Sequence, residues 1–239
     1  MVEFGGPVES LDIPGRSPAG DMRFIRERLA SLGMGGSGAL RLYRPRATAA
    51  FSRLDSMRPG YEIARSVVRS YGFEPVLRPS GGHLAVYGPG TLVIDLVAAH
   101  PDPRKTAIRR SANFAGLLAN ALRNGGLEPA LGAIPGEYCP GSQSISARGC
   151  KIAGLGQRLT TNGYHLGAIV MLQDSQAARI ALRPAYHALG LPFDPASVGA
   201  ACDVNPAFDA REFEVGLREI LVRSLNLAQA RSAELFNGG

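Results

Sequence analysis

The sequence predicts an α+β fold, a mixed or antiparallel β-sheet core with flanking helices. Three observations carry this reading. Short apolar runs of strand length recur through the middle of the chain, most clearly at residues 92–98 and 166–172. Stretches with helical apolar spacing stand before, between and after them. The resulting order (helix, strands, helix, strands, long helix, strands, helices) lacks the regular strand–helix alternation of a doubly wound parallel sheet.

Taken in order, residues 1–20 are rich in Gly, Pro and Ser and read as a loose arm, with residues 21–239 as a single domain. A helix is expected over 21–33, where Phe24, Ile25, Leu29 and Leu32 fall near one face and Gly33 stops it. Short strands follow at 39–43 and 47–51, separated by Pro45. Residues 61–71 read as a second helix with Ile63, Val67 and Val68 as its stripe. Strand-like pieces at 74–78 and 83–87 are joined by Pro79, Ser80, Gly81 and Gly82. After the strand at 92–98, a long helix over 104–123 carries Ile108, Phe114, Leu117, Leu118 and Leu122 and ends at Asn124, Gly125 and Gly126. Arg148 and Gly149 mark a hairpin turn, and Asn162 and Gly163 mark the next. Helices are expected at 175–189, weakened by Pro184, and at 209–227.

Composition narrows the function classes. The chain has 239 residues and 45% are hydrophobic, enough for a sizeable core. Its longest apolar runs fall short of a bilayer span, and its N-terminus carries no signal-peptide pattern, so a cytoplasmic location and no membrane partner are expected. The three cysteines, Cys139, Cys150 and Cys202, match no zinc spacing, and four scattered histidines add no metal signature. A net charge of +6 favours acidic partners. Without tryptophan or a basic run interleaved with aromatics, an acidic carrier protein is favoured over nucleic acid.

The cations are uneven. Of 26 basic residues two are lysines, Lys105 and Lys151, and 24 are arginines. Arginine keeps its proton, whereas a desolvated lysine can give one up. Lys105 reads as a surface charge, while Lys151 lies among further signals. Cys139 sits in a Gly/Pro-flanked loop over 136–142, and Lys151 follows twelve residues later on a strand thinned by Gly154 and Gly156. A thiolate is a good nucleophile and a nearby ammonium lowers its pKa. Taken alone, Cys139 reads slightly more readily as a small buried hydrophobe. Earlier in the chain, Gly81 and Gly82 allow close backbone approach to a ligand and Arg78 can hold an anion, although a Ser-Gly-Gly turn alone reads first as a hairpin connection.

Together these segments resemble the lipoate-protein ligase, octanoyltransferase and biotin-protein ligase superfamily. Its members carry an Arg-x-Ser-Gly-Gly loop, here 78–82 followed by 83–87, and a Gly-x-Lys-Ile-Ala-Gly strand with a following Gln or Ser, here 149–157. Residues 163–172 resemble the family's His-x-Gly segment with its apolar strand. Order and spacing agree across residues 20–225. The loop Tyr138, Cys139, Pro140, Gly141 is most similar to the branch that moves octanoyl or lipoyl groups by transamidation. Two departures stand out: His83 replaces the family's third glycine, and Gly88 and Pro89 replace a His-Asp pair.

The resemblance implies a biotin/lipoate ligase-like catalytic domain and an acyltransferase that loads the lysine of a lipoyl domain through a cysteine thioester. It assigns catalysis to Cys139 and Lys151. It assigns substrate binding to Arg78, Ser80, Gly81, Gly82, His83, Ala85, Gly136, Gly141, Gly154, Gln157, His165 and Gly167. Cys150, beside the lysine on a strand, points to the opposite face and reads as structural. The implied partners are an acyl-carrying donor protein and lipoyl-domain acceptors, both acidic carriers, with the octanoyl or lipoyl group as substrate and no metal or cofactor. The alternative is an ATP-dependent lipoate-protein ligase working through an acyl-adenylate, with ATP and magnesium; the short sequence after Leu227 favours the transferase. A non-catalytic carrier-binding module is the third reading, disfavoured by the intact Cys139 and Lys151.

Overall fold

The computed structural model describes residues 6–237. In chain order its elements are β1 (Val8–Leu11), α1 (Pro18–Leu32), β2 (Gly38–Tyr43), β3 (Thr48–Phe51), α2 (Tyr61–Ser70), β4 (Glu74–Leu77), β5 (Ala85–Tyr87), β6 (Thr91–Ala99), α3 (Ala107–Asn124), β7 (Ala130–Leu131), β8 (Ile145–Ala147), β9 (Cys150–Leu159), β10 (Gly163–Met171), α4 (Ser175–Ala188), α5 (Ala201–Val204) and α6 (Ala210–Asn237). Seven strands form one sheet in the order β1-β2-β6-β10-β9-β8-β7, and three form a smaller sheet in the order β4-β3-β5. β1 pairs parallel to β2, and β4 parallel to β3; the other pairings are antiparallel. The mixed sheet with flanking helices is the class the sequence predicts.

Alternation along the central strands sets the layers. Leu92, Ile94, Leu96 and Ala98 of β6 join Leu166, Ala168 and Val170 of β10 in a core with Phe114, Leu118 and Leu122 of α3 and Phe213, Leu217 and Leu221 of α6. The alternate residues of β6 and β10 face the other way. There Val93 joins a second core with the small sheet, α2 and α4, and Asp95, His165 and Gly167 line a cavity. α1 covers β2 and β6 through Phe24, Ile25, Leu29, Ala39 and Val97. The near-continuous apolar run of β6 therefore reflects burial on both faces.

The expected loose arm over residues 1–20 needs correction. Residues 1–5 lie outside the described residues, but Val8–Leu11 form an edge strand. Fully buried Arg41 on β2 is the cause: its guanidinium donates to the carbonyls of Ile13 at 3.1 Å and Pro14 at 2.6 Å and pairs with Asp21 at 2.8 Å. α1 starts earlier than expected because Ser17 accepts the Gly20 N–H at 3.2 Å and Pro18 occupies the first turn.

Two further expectations change. The pieces at 74–78 and 83–87 do not form a hairpin; β4 and β5 flank β3 on opposite sides, so the Ser-Gly-Gly loop crosses from one edge of the small sheet to the other. α4 continues through Pro184, which lacks the N–H for the preceding turn. Burial of Ala178, Ala181, Leu182, Ala185 and Tyr186 outweighs that loss. α6 runs to Asn237, beyond the expected 227.

Candidate active site

The β8–β9 hairpin places the lysine. Arg148 and Gly149 both have positive φ, 47° and 76°, which suits a tight turn between right-twisted strands. Lys151 then lies on β9 with only 2% of its surface exposed. Its side chain runs over Gly154, where a Cβ would stand 3.2 Å from Cε and 3.5 Å from Nζ. Nζ donates to the carbonyls of Cys139 at 2.7 Å and Tyr138 at 2.9 Å and to Glu137 Oε1 at 3.2 Å. The amine also stands 4.8 Å from the Tyr138 ring centroid.

Buried Glu137 organises the loop that carries the cysteine. It accepts the Ser144 hydroxyl at 2.6 Å, the Gly141 N–H at 3.2 Å and the Ile134 N–H at 3.1 Å, besides Lys151. Cys139 itself has φ 43°, a left-handed conformation unusual for a residue with a Cβ. Side chains clamp its backbone at both ends. Its N–H donates to the Tyr186 hydroxyl at 2.6 Å, and that hydroxyl donates to the Leu84 carbonyl at 2.8 Å. Its carbonyl takes the Lys151 amine.

The half-buried Cys139 sulfur faces a guanidinium. Arg78 Nη2 lies 3.2 Å from Sγ and also donates to the His83 carbonyl at 2.6 Å; the His83 N–H points at Sγ from 3.4 Å. Gly82, at φ 92°, leaves room for both groups, since a Cβ there would stand 2.7 Å from Sγ and 2.8 Å from Arg78 Nη2. Burial pushes the Cys139 thiol up, but Arg78, Lys151 and the two hydrogen bonds outweigh it and leave the pKa lowered. Burial lowers Lys151, with the Cys139 and Glu137 charges opposing. Cys202 goes the other way, raised by burial and by Asp203. The site thus joins a thiol biased toward thiolate and a buried amine biased toward giving up its proton.

A cavity of about 230 Å³ opens beside this pair. Gly154 and Gly156 of β9 and Gly167 of β10 border it at matched positions, Gly154 opposite Ile169 and Gly156 opposite Gly167, and so leave a trough on the sheet. A Cβ at Gly156 would crowd Ser80, at 3.2 Å from its Oγ. Met22, Ile25, Val86, Val93, Leu155 and Ile169 supply apolar walls. Among the sequence-derived candidates, Cys139, Lys151, Arg78, Ser80, Gly81, Gly82, Ala85, Gly141, Gly154, Gln157, His165 and Gly167 all border the cavity.

Two do not, and a third is turned aside. The His83 ring leaves the cavity because Nδ1 bonds buried Asp55 at 3.0 Å; only its backbone N–H serves the sulfur. Gly136, at φ 72°, forms the turn into the loop, its carbonyl accepting the Asp194 N–H at 2.8 Å, and a Cβ there would meet the Asp194 Cβ. Gln157 points its amide at α3, bonding the Ala107 carbonyl at 2.9 Å and the Ser111 hydroxyl and accepting Arg110 at 3.1 Å. Cys150 packs against the α3–α6 core and donates to the Ala196 carbonyl at 3.4 Å.

Sequence reasoning missed Glu137, Tyr186 and Asp95. His165 Nε2 and Asp95 Oδ1 pair at 2.8 Å in the buried cavity wall, while Asp95 Oδ2 and His165 Nδ1 have no partner among the described residues. Asp95 was detectable as the one charge in an apolar strand; Tyr186 left no signal. Among the described residues no cluster of three or more His, Cys, Asp or Glu side chains could hold a metal ion.

Residues 33–188 match the family described as lipoyl protein ligase A/B catalytic domain, which spans the Ser-Gly-Gly loop, Cys139, Lys151 and His165. The chain belongs to this family. A Geobacillus kaustophilus octanoyl-GcvH:protein N-octanoyltransferase is 32% identical over 212 residues, covering 87% of this chain and 74% of that protein. The same-named protein of Exiguobacterium sibiricum is 30% identical over 64% of this chain and 56% of its own length. A Listeria monocytogenes lipoyl-GcvH:protein N-lipoyltransferase is 26% identical, with 77% and 68% covered. Among solved structures, a lipoate-protein ligase A bound with ATP superposes with a TM-score of 0.62 at 19% identity, covering 89% of this chain and 82% of that one. A Thermoplasma acidophilum bi-partite lipoate protein ligase, described with its lipoyl domain, gives 0.60 at 18%, covering 96% and 85%. These two share the lipoyl ligase family's fold. Among the described residues no helix is long and apolar enough to cross a membrane.

Proposed function

We propose that this member of the family moves an octanoyl or lipoyl group from an acyl-carrying donor protein onto the lysine of a lipoyl-domain protein, through a thioester on Cys139. The observation that carries the reading is the Arg78–Cys139–Lys151 arrangement at the wall of an apolar-sided cavity. The names of the Geobacillus, Exiguobacterium and Listeria relatives support the same reaction class. The catalytic domain runs from β1 through α6.

In the first half-reaction the Cys139 thiolate attacks the acyl carbonyl carbon of the donor. The C–S bond forms and the bond to the donor nitrogen breaks. The leaving amine takes a proton from the Lys151 ammonium, whose lowered pKa suits it to donate. The His83 peptide N–H, which points at the sulfur from 3.4 Å, and those of the adjoining Gly81 and Gly82 would hold the oxyanion. In the second half the acceptor lysine amine attacks the thioester, the C–N bond forms, and its proton passes to neutral Lys151. The C–S bond breaks and Arg78 receives the thiolate. Burial of the acyl chain along the glycine trough contributes about 0.8 kcal/mol per CH₂.

The test is intact-mass analysis after incubation with an octanoylated lipoyl domain and no ATP. One acyl adduct, removed by hydroxylamine, is expected in the wild type, Cys150→Ala and Cys202→Ala, and none in Cys139→Ala. An adduct that persists in Cys139→Ala would refute the thioester. Strict dependence on ATP with pyrophosphate release would replace the transferase by the ligase reaction.

A further inference from the structure

An open groove lies against the catalytic cavity and shares Arg78 and Pro79 with it. Its lining includes Arg26, Arg53, Arg78 and Arg158 and no Asp or Glu. Arg26 is held in place by donating to the Leu77 carbonyl at 2.6 Å. Arg53 and Arg158 are exposed, so their guanidinium groups are available to a visitor. Two exposed apolar side chains share the lining, Met57 at 67% and Leu77 at 43%. Exposed Arg53 and Arg158, with no carboxylate in the groove lining and apolar side chains beside them, match a protein face bearing carboxylates and a few apolar side chains. No aromatic residue lines the groove, so it offers nothing for a nucleic-acid base to stack upon. The location adds a constraint: Arg78, at the border of the two spaces, contacts the Cys139 sulfur from 3.2 Å. A domain docked in the groove stands next to the nucleophile.

We propose that this groove docks the acidic face of the protein domain that carries the acyl-lysine, with Arg53 and Arg158 as its steering cations. The proposal rests on the transferase reading above. Pairing of exposed charges mainly raises the encounter rate and is weakened by salt, because the Debye length is about 10 Å at 0.1 M. The charges of Arg53 and Arg158 therefore govern KM for the carrier and its salt dependence, while the chemistry at Cys139, faced by Arg78, is indifferent to them.

The experiment compares the wild type, R53Q/R158Q and R53E/R158E, with melts to establish folding. Each is assayed with an octanoylated lipoyl domain between about 50 and 300 mM NaCl. Each is also loaded with the uncharged donor S-octanoyl-N-acetylcysteamine, which has no carboxylate or phosphate for the groove to hold. The expected result is a KM for the domain raised roughly tenfold in R53E/R158E and by less in R53Q/R158Q, with kcat unchanged and the salt dependence flattened. Loading from the small donor should match the wild type in all three. Domain KM values equal to the wild type in the folded variants overturn the docking site while leaving the transferase intact. A wild type that is loaded by neither donor overturns the transferase reading and the docking site with it. Should R53E/R158E fold poorly, R53Q/R158Q alone decides by its KM and salt slope.

Discussion

Lys151 reaches Cys139 through its backbone and not through its sulfur: Nζ donates to the Cys139 carbonyl at 2.7 Å, while the sulfur is faced by Arg78 at 3.2 Å. The sequence suggested that one lysine both holds the thiolate and relays the proton. In the structure a guanidinium that keeps its charge stands at the sulfur, and an amine that can lose its charge stands behind the loop. This division of labour sets separate expectations for the two cations.

Arg78 should govern the acidity of Cys139. Cys139 is lowered against the opposing push of burial, with Arg78 the largest of the favourable influences. Its alkylation by iodoacetamide should therefore rise with pH through a midpoint below that of an ordinary thiol. Arg78→Gln removes the charge, so the midpoint should move upward and the rate at neutral pH should fall several-fold. Arg78→Lys should lie between, having a charge but no fork for both Sγ and the His83 carbonyl. An unmoved midpoint in folded Arg78→Gln would assign the thiolate to another group.

Tyr186 should matter through geometry alone. Its hydroxyl takes the Cys139 N–H and returns its own proton to the Leu84 carbonyl. Tyr186→Phe leaves both backbone groups without that partner in a buried setting, at about 1–3 kcal/mol. Turnover should fall by roughly tenfold because Cys139 is free to leave its left-handed conformation. Thermal melts should record the stability loss, and single-turnover acyl transfer the loss in rate. Wild-type rates in Tyr186→Phe would show that the φ of Cys139 is held by Lys151 and the loop alone.

Glu137→Gln tests the buried pair. The groups bonded to Glu137 (Lys151 Nζ, the Ser144 hydroxyl and the N–H groups of Gly141 and Ile134) all donate. The amide of a glutamine would set two of its own hydrogens against those donors. Removing one partner of a buried ion pair costs about 3–5 kcal/mol, and the retained carbonyl oxygen makes the lower half of that range the expected outcome. At this chain length that corresponds to roughly 6–16 °C of melting temperature. A melting point equal to the wild type would show that the Lys151–Glu137 pair adds nothing net to stability.

The parts of this site that the sequence displays are those set by local backbone demands. Arg148–Gly149 marks a turn because both residues take positive φ, and Asn162–Gly163 stands where the chain turns into β10, so β9 and β10 follow from them. Gly154, Gly156 and Gly167 mark the trough because a Cβ would crowd Lys151, Ser80 or His165. Long-range partners leave no such mark. Tyr186 sits 47 residues from Cys139 in a helix that Pro184 makes hard to recognise. Arg41 orders the N-terminal segment from a strand 27 residues away, so a stretch rich in Gly, Pro and Ser looks loose until its cation is located. The resemblance placed His83 among the substrate-binding positions, yet Asp55 takes its ring.

The last prediction separates the two tasks open to Lys151. As a clamp it holds the Cys139 and Tyr138 carbonyls, and any cation of suitable reach performs that task. As an acid–base group it must exchange a proton, which arginine does not do at working pH. Lys151→Arg keeps charge beside Glu137, so it should fold better than Lys151→Met, which leaves a buried carboxylate without its cation. Alkylation of Cys139 in Lys151→Arg should stay close to the wild type, because Arg78 still faces the sulfur. Acyl transfer should nevertheless fall by roughly 10²–10⁴-fold, the range for loss of a positioned proton donor. The pH profile supplies the sign. Burial lowers the Lys151 pKa, so with Lys151 as the acid the rate should decline on the alkaline side below the pH at which an ordinary lysine titrates, and that decline should vanish in Lys151→Arg. Single-turnover transfer with saturating donor across pH measures both. Near-wild-type transfer in folded Lys151→Arg, with the alkaline limb intact, would leave Lys151 as a clamp only and place the proton transfer on another group.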